Sequence, residues 1–324
     1  MNSSTLATMD VLAGLLDGPR ARGAFLLRTV LTPPWSMRIQ DESPLTVIAM
    51  VRGEGWITAD SGQSVPIGPG DVAVARGLDP YVLADDPSTP PTVIVYPGQD
   101  CCSLSGEHLA ETMSLGVRTW GPDPDGPTVM LVGAYESLGE ISERLLRALP
   151  PILVLRAREW DCPFVELLSN EMVKDEPGQE AVLDRLIDLV LVAVLRAWFA
   201  RPEAEAPAWY RAQSDPVVGR AIRIMQNNPA HPWTVAGLAT ETGLSRAALA
   251  RRFHELVGET PMAFLTEWRL ALAADLLRNP DTTIGAVASQ VGYGSPFALS
   301  TAFKRVRGIS PHEHRGRQRA GQSD

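Results

Sequence analysis

The sulfur and imidazole side chains with which this chain could bind a soft metal or attack a substrate are few: three cysteines, Cys101, Cys102 and Cys162, and five histidines, His108, His231, His254, His312 and His314. A cysteine reacts as its thiolate. No Lys or Arg lies within ten residues of Cys101-Cys102, and Asp100 beside them favours the protonated thiol. Oxidation of Cys101 or Cys102, resolved by Cys162, remains one sensing chemistry open to the chain. Three cysteines do not make a disulfide scaffold and suit a reducing compartment. His312 and His314 make a poor metal pair with no third ligand near. Sequences of the forms GxSxG, GxxxxGK[ST] and HExxH are missing. No catalytic residue, cofactor or metal is expected.

Cations offer a second chemistry, the neutralisation of phosphates. The net charge of −9 speaks against it, but the charge is unevenly spread. Residues 215–319 carry 13 Lys/Arg and 8 Asp/Glu, while residues 1–214 carry 16 and 29. Only the C-terminal part suits a nucleic acid.

That part contains an internal repeat. TVAGLATETGLSRAALARRFHELVGETP from Thr234 is answered by TIGAVASQVGYGSPFALSTAFKRVRGISP from Thr283. Ala239 and Gly243 match Ala288 and Gly292. Beyond one extra residue in the second turn the offset is a constant 50, pairing Ser245 with Ser295, Leu249 with Leu299, Phe253 with Phe303, Gly258 with Gly308 and Pro261 with Pro311. Thr234, Thr283, Ser245 and Ser295 are N-cap residues by type. The glycines suit left-handed helix ends, and the Leu/Phe pairs at i, i+4 form an apolar face. Two helix-turn-helix units joined by a helix over 261–279 follow.

With these residues in view, 215–318 resembles the DNA-binding domain of the AraC/XylS family of transcription regulators, most fully over TIGAVASQVGYGSPFALSTAFKRVRGISPHEHR. The resemblance implies recognition helices at Ser245–His254 and Ser295–Lys304. On the first, Arg246, Ala247, Ala250 and Arg251 face outward, with Arg246 and Arg251 expected to read guanines and Arg252 to touch phosphate or solvent. On the second, Ser295, Pro296, Phe297, Ser300, Thr301 and Lys304 are the expected contacts. Long base-reading side chains are absent there, so that unit is expected to add affinity more than discrimination.

The elements before residue 215 must position or control this domain. Short apolar runs at Leu45–Val51, Gly55–Ala59, Asp71–Ala75 and Thr92–Tyr96, separated by turns at Asp60-Ser61-Gly62 and Gly68–Asp71, read as a small antiparallel barrel or sandwich. Helical patterns mark Ile141, Leu145, Leu146 and Leu149, then Pro163–Lys174, then Glu180–Ala200, whose broad stripe from Leu183 to Trp198 serves either a core or a dimer. Residues 201–214 read as a Pro- and Ala-rich linker. GAFLLRTVLTPPWSMRI and GQSVPIGPGDVAVARGLDPYVL resemble a cupin-type domain of the kind found ahead of AraC-type DNA-binding domains. Cupin enzymes hold metals through histidines, and residues 20–100 contain none; Pro80-Tyr81 stands where the second motif would place one. A metal-dependent cupin enzyme fused to a DNA-binding domain is therefore the disfavoured alternative. Trp35, Arg38, Trp56 and Tyr81 are the expected effector contacts.

The fold class expected is α+β: a cupin-like β-barrel over 1–100, a helical segment over 101–200, a linker over 201–214 and an all-α domain with two helix-turn-helix units over 215–318, with the barrel and the helical segment as the alternative dimer contacts. The expected partners are double-stranded promoter DNA, a small-molecule effector and a second copy in a homodimer, with RNA polymerase a further candidate. No signal peptide or membrane span is expected, which suits a cytoplasmic regulator.

Overall fold

A strand that reads LTVIAMV, apolar but for Thr46, needs cover on both faces, and the computed structural model provides it. The structure describes residues 24–135, 146–160, 162–201, 204 and 206–320. Most of the expected helix around Ile141 and Leu145 lies outside them. The described residues fall into two compact units, 24–135 with 149–204, and 146–148 with 206–320.

The first unit holds thirteen strands: β1 (Phe25–Leu31), β2 (Ser36–Ile39), β3 (Leu45–Arg52), β4 (Gly55–Ala59), β5 (Ser64–Ile67), β6 (Val72–Arg76), β7 (Tyr81–Ala84), β8 (Val93–Tyr96), β9 (Asp100–Ser103), β10 (Ser114–Gly116), β11 (Thr119–Trp120), β12 (Thr128–Tyr135) and β13 (Ile152–Leu155). One sheet runs β10-β11-β1-β12-β3-β6-β13 and the other β5-β4-β7-β2-β8-β9. Pairing is mostly antiparallel, but β1 meets β11 and β2 meets β8 in parallel. Among the described residues the two sheets share no strand, so the cupin-like region is an unclosed double sheet.

The faces of β3 show how the layers stack. Ile48 and Met50 enter a core shared with Met37, Ile57, Leu83 and Cys101 of the opposite sheet. Val47 and Ala49 are buried as well, on the face covered by α1 (Pro163–Met172) and α2 (Gln179–Phe199). Gly133 of β12 has no side chain where α2 approaches; a Cβ there would lie 2.8 Å from Cδ1 of Ile187. Leu183, Ile187, Val190, Leu191, Val194 and Leu195 of α2 are all buried, so most of its stripe is core.

Two expected boundaries are corrected. The β region does not stop at residue 100, because β9 to β13 carry it to Leu155. Their partners are distant in sequence: Leu27 lies opposite Val132, and Val74 opposite Leu153. Local patterns do not reveal such pairs. The stretch 201–214 is not a linker throughout. Pro202, Glu203 and Glu205 lie outside the described residues, but Ala206, Trp209 and Ala212 are buried. Trp209 anchors α3 (Ala208–Arg211) in the second unit.

The second unit continues with α4 (Val218–Asn227), α5 (Val235–Thr242), α6 (Arg246–Val257), α7 (Pro261–Leu277), α8 (Ile284–Gln290), α9 (Pro296–Arg307) and α10 (Pro311–Ala320). Among the described residues no helix is long and apolar enough to cross a membrane.

Candidate nucleic-acid interface

Helices α5–α6 and α8–α9 are the two helix-turn-helix units, and each helix starts at a hydroxyl. Thr234, Ser245, Thr283 and Ser295 accept from the amides of Gly237, Ala248, Ala286 and Ala298 at 3.0–3.2 Å, satisfying donors that a helix start leaves free. Gly243 and Gly292 make the turns at φ +72° and +80°, the region that favours glycine. Leu249 and Phe253 of α6, and Leu299 and Phe303 of α9, are fully buried.

The duplication runs further than the sequence reading followed it. Thr260 caps α7 and Ser310 caps α10. Phe264 and His314 then lay their rings edge-on against Phe253 and Phe303, with centroids 5.8 and 5.5 Å apart. Burial holds His314 below the ordinary imidazole range and favours its neutral form.

With Leu and Phe turned inward, the opposite faces are left outward. Arg246, Ala247 and Arg251 of α6 are exposed and Ala250 is half-buried. Arg251 lies 3.7 Å from Glu255, an exposed pair of little strength. On α9, Pro296, Phe297, Thr301 and Lys304 are exposed and Ser300 half-buried. Phe297 is 81% exposed. Ser295 spends its hydroxyl on the cap.

Arg252 is exposed and has a carboxylate partner within the domain. Its Nε donates to Asp215 Oδ2 at 3.1 Å, and Asp215 Oδ1 accepts from the amides of Val217 and Val218 at 3.0 and 2.9 Å. The guanidinium of Arg252, then the amides at the start of α4, hold the Asp215 carboxyl down at about 2 against the cost of its burial. Arg252 is thus taken up in a clamp from α6 to α4, with its side chain still 49% exposed. Sequence reasoning missed Asp215, whose Asx-turn position before an apolar run was the available signal.

Helix α7 joins the units. It has 17 residues, about 25 Å at 1.5 Å per residue, and ends two residues short of the expected Asn279. Its Arg269 donates to the carbonyls of Pro229 at 2.6 Å and His231 at 2.8 Å. Ala230, between those residues, packs on the second turn so closely that a Cβ at Gly292 would lie 2.7 Å from its Cα.

In the first unit the four expected effector residues do not converge. Trp35 and Tyr81 are buried in the core between the sheets. Arg38 pairs with Asp60 at 3.1 Å on the outer side, and Trp56, alternating with the core residue Ile57, shares that outer side. Tyr81 does line a narrow apolar hollow with Phe25, Leu27, Met37, Leu83 and Trp120. Asp41, Thr46 and Gln99 are its polar members, and Gln99 Nε2 donates to Asp41 Oδ2 at 2.6 Å. No histidine lines it among the described residues, so the imidazole set of metal-dependent cupins does not fit here.

Cys101 and Cys102 are strand residues of β9, not loop residues, and both are buried. Burial pushes the Cys101 thiol up to about 11, with Asp100 and Cys102 adding to it. Burial, then Asp100, also raises the thiol of Cys102. Neither setting favours a reactive thiolate.

A cupin family model matches residues 10–200, and a helix-turn-helix domain model matches residues 238–317. The chain is 30% identical over 319 residues to an AraC-like transcription regulator of Streptomyces lividans, covering 95% of this chain and 98% of that one. It is 36% identical over 311 residues to another from Streptomyces antibioticus, with the same coverage. Among solved structures, the DNA-binding domain of AdpA in complex with a target DNA is 32% identical, covering 33% of this chain and 95% of that one, with a TM-score of 0.31.

Proposed function

The chain belongs to the AraC-like transcription regulators, a cupin domain preceding a helix-turn-helix DNA-binding domain, and we propose that it reads a promoter through both units while a small molecule in the double sheet controls the outcome. The observation that carries this is the doubled unit itself: matched caps and buried Leu/Phe pairs leave the outer faces of α6 and α9 free for DNA. Major grooves on one side of B-DNA recur every ~34 Å, and a joining helix of about 25 Å suits neighbouring grooves. Arg246 and Arg251 discriminate bases; Ala247 and Ala250 admit close approach; Phe297 packs on a thymine methyl; Pro296, Ser300 and Thr301 fit against the groove wall and Lys304 meets phosphate. The effector is small and largely apolar, and the hollow by Tyr81, with Asp41 and Gln99 for orientation, widens from about 40 Å³ to admit it. The chain acts in the cytoplasm, as a homodimer, without catalysis, and contacts RNA polymerase from the promoter.

The test is fluorescence anisotropy with labelled DNA from upstream of the chain's own gene and an unrelated duplex as control. Preference for the first, lost in an Arg246→Ala/Arg251→Ala double variant that folds normally, supports the reading. Equal binding to both duplexes, unchanged in that variant, overturns it.

A further inference from the structure

Three donors of different kinds meet on the outer side of β9, away from the hollow. Asp100 and Cys102 stand at i and i+2 of the strand, so their side chains share one face. His108 returns beside them, and its backbone bridges that of Cys102 across a tight loop. His108 Nδ1 lies 2.8 Å from Asp100 Oδ1 and 3.7 Å from Cys102 Sγ, and Cys102 Sγ lies 3.8 Å from Asp100 Oδ2. Cys102 is buried while His108 and Asp100 have side chains 73% and 42% exposed, so the sulfur is reached from solvent past the other two.

We propose that Asp100, Cys102 and His108 bind a borderline-soft divalent transition-metal ion, with Zn²⁺ the best fit. Tetrahedral Zn²⁺ takes sulfur at ~2.3 Å and imidazole or carboxylate at ~2.0–2.1 Å, which sets the S–N and S–O edges of the tetrahedron at about 3.5 Å. The two sulfur distances are already close to that value. The N–O distance is a hydrogen bond, and it opens by about half an ångström when both atoms turn to an ion. One imidazole, one thiolate and one carboxylate select zinc over magnesium or calcium, and a fourth position faces solvent. The same geometry argues against a Cys-His-Asp nucleophile, which needs one ring nitrogen on the thiol and the other on the carboxylate; here Nδ1 faces both. An ion held this way ties the 103–108 loop to β9.

The experiment is titration of the tag-free full-length chain with Zn²⁺ by calorimetry and with Co²⁺ by absorption. One ion per chain is expected, with a thiolate-to-cobalt charge-transfer band. Cys102→Ser and His108→Ala each weaken binding by about 100-fold or more, beyond the 10–100-fold typical of outer-shell changes, and Cys102→Ser abolishes the band. Cys101→Ser and His231→Ala leave both intact. His108 is exposed, so its loss does not threaten the fold, and thermal melting of each variant confirms that. Wild-type affinity in both Cys102→Ser and His108→Ala, or Co²⁺ bound without the charge-transfer band, overturns the assignment.

Discussion

Fifty residues apart, the buried partners of the two helix-turn-helix units match and the exposed ones do not. Leu249 and Phe253 answer Leu299 and Phe303, all fully buried. On the outside Arg246 stands against Pro296, Ala247 against Phe297, Ala250 against Ser300, Arg251 against Thr301 and His254 against Lys304. Each unit must bury one helix on the next, so the inner face is held to the same sizes and spacings. The outer face answers only to what it meets, and there the copies have diverged.

If the skeletons are equivalent, Phe253→Ala and Phe303→Ala destabilise the second unit alike, each by about 3–5 kcal/mol, the usual range for a fully buried Phe. Urea unfolding followed by helical circular dichroism measures both. A cost below about 1 kcal/mol for either would show that the two cores are not equivalent. The turns test the same idea in the other direction. Gly243 has open space around it, so Gly243→Ala costs only the left-handed backbone, roughly 1–2 kcal/mol. Gly292→Ala bears that cost and also drives a Cβ to 2.7 Å from Ala230 Cα and 2.9 Å from Arg269. Overpacking of this kind adds roughly 1–3 kcal/mol. Equal losses in the two variants would mean that the loop around Ala230 yields freely.

These local features are why the C-terminal unit could be read from sequence. Caps, helix-ending glycines and i, i+4 apolar pairs act within a few residues, and all of them stand where the repeat placed them. The double sheet is set by contacts that no short window contains. β9 is hidden for another reason: it pairs locally with β8, but its four residues, DCCS, include no β-branched or aromatic side chain. The partner of Arg252, Asp215, lies 37 residues away, beyond any local pattern. Tyr81 lines the hollow, whereas Arg38 and Trp56 sit on outward-facing strand positions that a pleat of unknown register hides.

The divergent outer faces predict a division of labour on DNA. Arg251→Ala should remove about 1–3 kcal/mol of discrimination at one base position, as expected for a bidentate contact to guanine. Lys304→Ala should weaken all sequences by a similar factor and lower the salt slope of log K by about 1, the mark of one phosphate contact. Anisotropy with base-substituted sites at several salt concentrations separates the two. If Lys304→Ala altered base preference while Arg251→Ala did not, the roles assigned to the two units would be reversed.

The smallest effect expected is the most selective. The first helix-turn-helix is clamped by Asp215 and Arg252, and the position equivalent to Arg252 in the second helix-turn-helix is the buried Ala302. Folding lowers the Asp215 carboxyl to about 2, from an ordinary value near ~3.9. A depressed carboxylate contributes its stability above the unfolded value and loses it as pH falls through the folded one. Asp215→Asn keeps an amide-capping side chain and removes the charge that faces Arg252. The melting temperature of the wild type should therefore exceed that of the variant by a fixed amount above pH ~5, and the gap should close between about pH 4 and 2. Every other carboxylate cancels in that difference. A gap that persists unchanged to pH ~2 would assign the role of Asp215 to capping α4 alone, and the asymmetry between the two units would then lie only in their outer faces.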